Sequence, residues 1–159
     1  MFEIGDKIFY PMHGASIIDS IEEKEVLGEV QSYYIVRIPH KNMQVMIPIG
    51  KMNALGIRPI VDSEVLENVF SIFHEGETDL SMNHTQRLRL NLTKLKSGNI
   101  YEEAQVIRDL NRMSKQKNLG TEDKFMLDNA KQIFISELVL VKDIAKDQAT
   151  EILNQVING

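Results

Sequence analysis

Two hydrophobic periods run along this chain, and they change over near residue 60. In the first half, apolar residues come in short runs: 7–10 (KIFY), 15–21 (ASIIDSI), 32–38 (SYYIVRI) and 44–49 (QVMIPI). These runs are rich in β-branched and aromatic residues, which suit a pleated surface. Turn-formers separate them at Gly5-Asp6, Pro11 to Gly14, Leu27-Gly28-Glu29 and His40 to Asn42. Within 32–38, Tyr34, Val36 and Ile38 alternate with Tyr33, Ile35 and Arg37, so both faces of that strand are expected to be partly covered. Strands this short and this closely spaced predict a small antiparallel sheet curling into a barrel. A sheet of that size is marginal by itself and gains from packing against something else.

The second half takes the helical period. Val65, Val69 and Ile72 open a short helix behind Asp62-Ser63. Leu88, Leu92 and Leu95 follow at i, i+4 and i+7, and Ser97-Gly98-Asn99 stops that helix. Ala104, Ile107 and Leu110 make the stripe of the next, with Met113 beyond. Leu119-Gly120-Thr121 then breaks the chain, with Thr121 the expected N-cap. A long stripe of Leu127, Ala130, Phe134, Leu138 and Val141 comes next, and Ala149, Ile152, Leu153 and Val156 mark a last helix. Short turns between helices favour a compact antiparallel bundle. The chain therefore reads as α+β. A β domain spans 1–56, a boundary helix and loop span 57–81, and a helical domain spans 82–159. The Arg58-Pro59 pair, which disfavours helix, marks the change.

Composition narrows the setting. Hydrophobic residues at 43% and charged ones at 26% describe a globular chain rather than a disordered one. There is no cysteine, which removes disulfides and cysteine zinc sites and fits a reducing compartment. No stretch has the run of about 18 apolar residues that a membrane span needs. A soluble cytoplasmic protein without a membrane partner is expected.

Charge adds an asymmetry. The net charge is −5, yet 81–117 carries eight basic residues against three acidic ones. That window has a surplus of five positive charges, and the remainder has ten basic against twenty acidic residues. Within it, MNHTQRLRLNLTKLKSGN (82–99) has Arg87, Arg89, Lys94 and Lys96 and no acid. Arg89 and Lys96 are two helical turns apart and share one face; Arg87 and Lys94 form a neighbouring row. Arg108, Arg112 and Lys115 repeat the spacing on the next helix. Long cations in rows can reach successive phosphates of a duplex. A solvated helix face would show the same run, so the rows suggest a polyanionic partner without requiring one.

Catalytic signals are nearly absent. No glycine pattern makes a phosphate cradle, no GxSxG elbow is present, and His13, His40, His74 and His84 form no HExxH array. The adjacent pairs Glu22-Glu23 and Glu102-Glu103 point apart on a strand or helix. No catalytic residue, metal site or cofactor is assigned. A hydrolase would need a polar pocket holding a histidine beside a serine or carboxylate.

In order, the segments GDKIFYPMHGASIIDSI, LGEVQSYYIVRI, MIPIGKM and LNLTKLKSGNIYEEAQVIRDL resemble the CarD/CdnL family of bacterial transcription regulators, over essentially the whole chain. The first half is also similar to the polymerase-binding module of transcription-repair coupling factors. The resemblance implies a Tudor-like, SH3-like β-barrel that docks on the RNA polymerase β subunit by adding strand to strand, a mode carried by backbone hydrogen bonds. It also implies a helical domain on promoter DNA at the upstream edge of the bubble, with an apolar wedge in the minor groove and basic residues on phosphates. Open-complex stability would change as a result.

Carried over by position, Arg87 and Arg89 match family basic positions, and Lys94 is added to them as a DNA contact. The tryptophan wedge of the family falls on His84, in a chain without tryptophan; Met82 is a substitute wedge. Alternatively, His84 is a surface residue at the helix start and Met82 packs beneath its loop. On the polymerase side, Lys24 matches an often basic position. Val45, Met46 and Ile47 form the docking strand, Met46 standing where relatives often carry arginine. The alternative function is a polymerase-docking adaptor with little wedge activity.

Overall fold

The computed structural model describes all residues 1–159. Five strands come first: β1 (Lys7–Tyr10), β2 (Gly14–Val26), β3 (Glu29–Ile38), β4 (Met43–Pro48) and β5 (Arg58–Pro59). Five helices follow: α1 (Ser63–Ile72), α2 (His84–Lys96), α3 (Ile100–Gln116), α4 (Thr121–Lys142) and α5 (Lys146–Asn158). This is the expected α+β arrangement of an antiparallel sheet ahead of a helical region.

The strands pair antiparallel in the order β4-β3-β2-β1-β5. β5 pairs only with β1 and β4 only with β3, so the outer edge of β4 is free. The sheet unit takes in Arg58 and Pro59, because both return to pair with Phe9 and Ile8. The β2–β3 hairpin runs further than alternation foretold, since Glu22 to Val26 has no apolar face. Its ladder continues because Leu27 (φ 54°) and Gly28 (φ 83°) make a two-residue turn with positive φ at both positions, the twist that suits a hairpin.

Two cores result. Ile8, Ile18, Tyr34, Val36, Ile47, Met52 and Ile57 fill one side of the sheet. The helical core is larger and runs from Leu66 and Val69 of α1 to Leu153 and Ile157 of α5. Asp62 caps α1, and Asn83 and Gln86 cap α2 reciprocally, bonding each other's backbone N–H at 2.9 and 3.2 Å. Asn99 caps α3. α4 differs from expectation: Gly120 holds the N-cap position and Thr121 is the first helical residue, so no side chain caps that end.

A buried polar node joins the two units. Arg58 donates from both terminal nitrogens to Glu137 of α4, at 2.7 and 2.9 Å, and its Nε donates to the Gly98 carbonyl. The Val61 N–H donates to Glu137 as well, at 2.9 Å. The guanidinium lies 4.4 Å from the Phe9 ring centroid. Nearby, Ser136 accepts from the Ala15 N–H at 2.9 Å, tying α4 directly to β2.

Glu103 of α3 is buried close enough to Glu137 to feel its charge, and its Oε1 has no hydrogen-bond partner. Burial first and Glu137 second push its carboxyl well above the usual range, against a smaller opposing pull from Arg58. With the folded pKa raised, the contribution to stability is fully present below the unfolded value of about 4.3 and is lost as pH rises from there through the raised folded pKa. Glu103→Gln should therefore be more stable than the parent at pH 7.5, with the difference closing by about pH 4. Urea melts of both proteins at the two pH values check this; a less stable variant at pH 7.5 would contradict it.

Candidate nucleic-acid interface and a free sheet edge

α2 carries the basic stretch, and the capping box at Asn83 fixes where it begins. Its leucine side is shallow: Leu95 is buried, while Leu88 and Leu92 are half-buried against the helical core. The cations that flank this side have different fates. Arg89 and Lys96 are exposed and make no ion pair with a carboxylate. Lys94 donates from Nζ to Gln105 of α3 at 3.0 Å. Arg87 turns inward and donates to Asp123 of α4 at 2.6 Å, with Asp123 only 3% exposed.

That pair is incompletely satisfied, since Arg87 Nε and Asp123 Oδ1 are both buried without a partner. His84 sits over it, with Nδ1 3.5 Å from Asp123 and Nε2 3.4 Å from Glu122. The first turn of α4 thus faces the start of α2 with two carboxylates. Both Arg87 and His84 are held against an acidic neighbour, whereas Arg89 and Lys96 present free charge. Met82 is half-buried and lines a cleft with Leu80 and Met113, consistent with packing beneath the loop.

The α3 row needs correction. Arg108 is buried, pairs with Asp109 at 2.9 Å and donates to the Glu75 carbonyl at 3.0 Å. Arg112 donates to the carbonyls of Gly76 and Glu75 at 2.9 and 3.1 Å. These two arginines hold the loop after α1 in place and are not a phosphate-facing surface. Helical spacing alone cannot distinguish a row facing solvent from one facing a loop.

On the sheet, Val45, Met46 and Ile47 all lie on β4, opposite Val36, Ile35 and Tyr34. Met46 is 47% exposed, and Val45 is half-buried. The Ile47 side chain is 2% exposed and belongs to the sheet core, so it can offer a partner only backbone. Lys24 stands on the projecting β2–β3 hairpin, 3.5 Å from Glu22, with both side chains about half exposed. Tyr33 and Tyr34 are buried, and the Tyr34 hydroxyl donates to the Phe2 carbonyl at 2.8 Å. Lys24 and β4 lie on the sheet, apart from the α2 cations.

One cavity brings a histidine beside a serine. His40 and Ser136 both line a space of about 210 Å³ between the 39–41 turn and α4. Neither is poised for nucleophilic chemistry. Ser136 donates to the Ile133 carbonyl at 2.5 Å and accepts from Ala15, while His40 Nε2 contacts the His13 carbonyl. Burial and nearby Lys41 and Lys146 lower the His40 pKa, against the backbone contact that raises it. No three His, Asp or Glu residues are grouped to hold a metal ion, and no helix is long and apolar enough to cross a membrane.

Phe125 escaped the sequence reading. It is 73% exposed on α4, one turn beyond Glu122, and lies off the Leu127–Ala130–Phe134 stripe. An aromatic displaced from its helix's apolar stripe was the available signal.

Comparison with known proteins matches two family models in tandem. Residues 2–61 match the CarD-like/TRCF RID domain, and residues 68–154 match the CarD C-terminal domain. "Putative transcription factor YdeB" of Bacillus subtilis (strain 168) is 49% identical over 148 residues, covering 93% of this chain and 97% of that protein. The solution NMR structure of the 72-residue N-terminal domain of Myxococcus xanthus CarD aligns at 32% identity with a TM-score of 0.32, covering 37% of this chain and 79% of that one.

Proposed function

The chain belongs to the CarD family of transcription factors and carries its polymerase-interacting module, and on that premise we propose that it bridges the RNA polymerase β subunit and upstream promoter DNA. In this reading a strand of the β subunit adds to the free edge of β4. The outward-facing backbone groups of alternate residues along Val45, Met46 and Ile47 supply the ladder, with Lys24 as a charged contact. The edge is open along the strand, as that mode requires.

The observation that carries the DNA half is the unpaired state of Arg89 and Lys96 on one flank of α2. Free cations two turns apart suit successive phosphates. Lys94, bonded to Gln105 on the opposite flank of α2, would reach DNA only at a separate point and by releasing that amide. Arg87 serves first as a link from α2 to α4; contact with a phosphate would require it to exchange Asp123 for that ligand. His84, a poorer apolar wedge than tryptophan and flanked by two carboxylates, fits a polar contact at the groove edge. Bound to both partners, the protein would alter the lifetime of the open complex. It acts as a regulator and not as an enzyme. Domain limits at 1–56, 57–81 and 82–159 fit this division of labour, with Arg58 and Pro59 added to the sheet.

Docking is tested by co-purification with polymerase core. Met46→Glu introduces a charge beside the free edge and should weaken capture about tenfold or more, a change of roughly 1.4 kcal/mol, while leaving the thermal midpoint nearly unchanged. Undiminished capture would rule out β4 as the docking strand. Capture without any DNA affinity would instead favour the adaptor reading, for which the carboxylates facing His84 are the supporting feature.

A further inference from the structure

Between α2 and α4 lies an open apolar groove of about 500 Å³, walled by Leu88 and Leu92 on one side and Phe125 and Met126 on the other, with Met12 at its end. Asn129 adds an amide to the lining. The groove is continuous with the ring of Phe125, the most exposed aromatic side chain of the protein. A single exposed apolar residue would be unremarkable, but an exposed ring running into an apolar groove makes a contiguous patch, the kind of surface that marks a ligand or partner site.

The surroundings say what kind of partner. At about 100° per residue, Arg89 and Lys96 fall on the flank of α2 beside Leu88 and Leu92, opposite the flank from which Lys94 reaches α3. Lys124, next to Phe125 on the α4 side, is exposed and also without an ion pair. Of the three carboxylates at this end, Asp123 is buried against Arg87, the groove's Glu122 lies within 3.4 Å of His84, and Asp128 is exposed one turn beyond Lys124. An aromatic platform with free cations on both sides is the pattern that single-stranded nucleic acid uses: phosphates on the cations, bases on the ring.

We propose that this groove receives an unpaired nucleobase of opened DNA, which stacks on Phe125 while Arg89, Lys96 and Lys124 hold the adjoining backbone. The proposal rests on the DNA-binding reading above and adds to it a preference for strand-separated over fully paired DNA. Asn129 can bond a base edge, but stacking is indifferent to base identity, so little sequence preference is expected.

The test compares a forked duplex bearing a single-stranded arm with a fully paired duplex of the same sequence, by fluorescence anisotropy on the full chain. The parent should bind the fork more tightly, and 2-aminopurine in the arm should change emission on binding. Phe125→Ala should weaken fork binding roughly 5- to 150-fold and leave the paired duplex unchanged, while Phe125→Tyr should retain the preference. Phe125 is exposed, so these variants should fold; far-ultraviolet circular dichroism verifies it. The proposal is overturned if Phe125→Ala leaves the fork-to-duplex ratio unchanged while Arg89→Ala weakens both DNAs. If Arg89→Ala changes neither, the DNA reading itself falls, and the proposal with it. A loss confined to polymerase capture in Phe125→Ala would overturn it too, by making the groove a protein contact.

Discussion

Replacing Arg58 by alanine should destabilise the protein by roughly 3–5 kcal/mol, the usual consequence of stripping a buried carboxylate of its partner. For a chain of this size that is a fall in thermal midpoint of about 6–20 °C. The carboxylate concerned is Glu137, whose side chain is only 1% exposed. Arg58 gives it two hydrogen bonds, and no other cation pairs with it. Without the guanidinium, Glu137 would face the buried Glu103 with only the Val61 N–H to support it. One of the two carboxyls would then have to hold a proton, which folding at neutral pH must supply.

The same loss would remove the bond to the Gly98 carbonyl and the contact with Phe9, and both bridge the sheet to the helices. Arg58→Lys should recover only part of the stability, because an ammonium cannot bind both oxygens as a fork. Adding Glu137→Gln to Arg58→Ala should restore more than additivity allows, since the stranded charge is gone. Thermal melts of the parent, Arg58→Ala, Arg58→Lys, Glu137→Gln and the double variant check these values. A fall of under about 1 kcal/mol for Arg58→Ala would mean the node does not hold the units together.

Much of this architecture was legible in the sequence for a simple reason: the strands and helices announce themselves through short-range periodicity. Val69, Ala104, Ile107, Leu110, Phe134 and Leu138 are buried as their spacing requires, whereas Val65 and Ile72 of the α1 stripe are half-buried and Leu66 takes the deeper position. The central node was not legible, because Arg58 and Glu137 are 79 residues apart and neither has a local motif. Arg58 was visible only as the residue before Pro59. The distal half of the β2–β3 hairpin was missed because, solvated on both faces, it has no alternation to read.

At the candidate site, the basic stretch was plain but the fate of each cation was not. Arg87, Arg89, Arg108 and Arg112 look equivalent by period. Only packing shows that Arg87 meets Asp123, that Arg108 and Arg112 hold backbone carbonyls, and that Arg89 is free. The same limit hid Phe125, whose meaning depends on the groove beside it.

The free cations lead to the second large effect. If Arg89 and Lys96 each neutralise one phosphate, each releases close to one counterion on binding. Affinity for DNA should then fall with log salt at a slope that becomes shallower by about 1 for each cation removed. Because both side chains are exposed, their loss should leave folding nearly untouched. Arg87→Met should behave differently, lowering stability by leaving buried Asp123 unpaired.

The most direct measurement is the apparent affinity for a forked promoter fragment between 50 and 200 mM salt, on the order of the range where such slopes are steep, for the parent and for Arg89→Ala with Lys96→Ala. The expected result is a slope shallower by about 2 in the double variant, with weaker binding at the low-salt end and an unchanged thermal midpoint. Identical slopes in the two proteins would contradict the assignment of DNA to the free flank of α2.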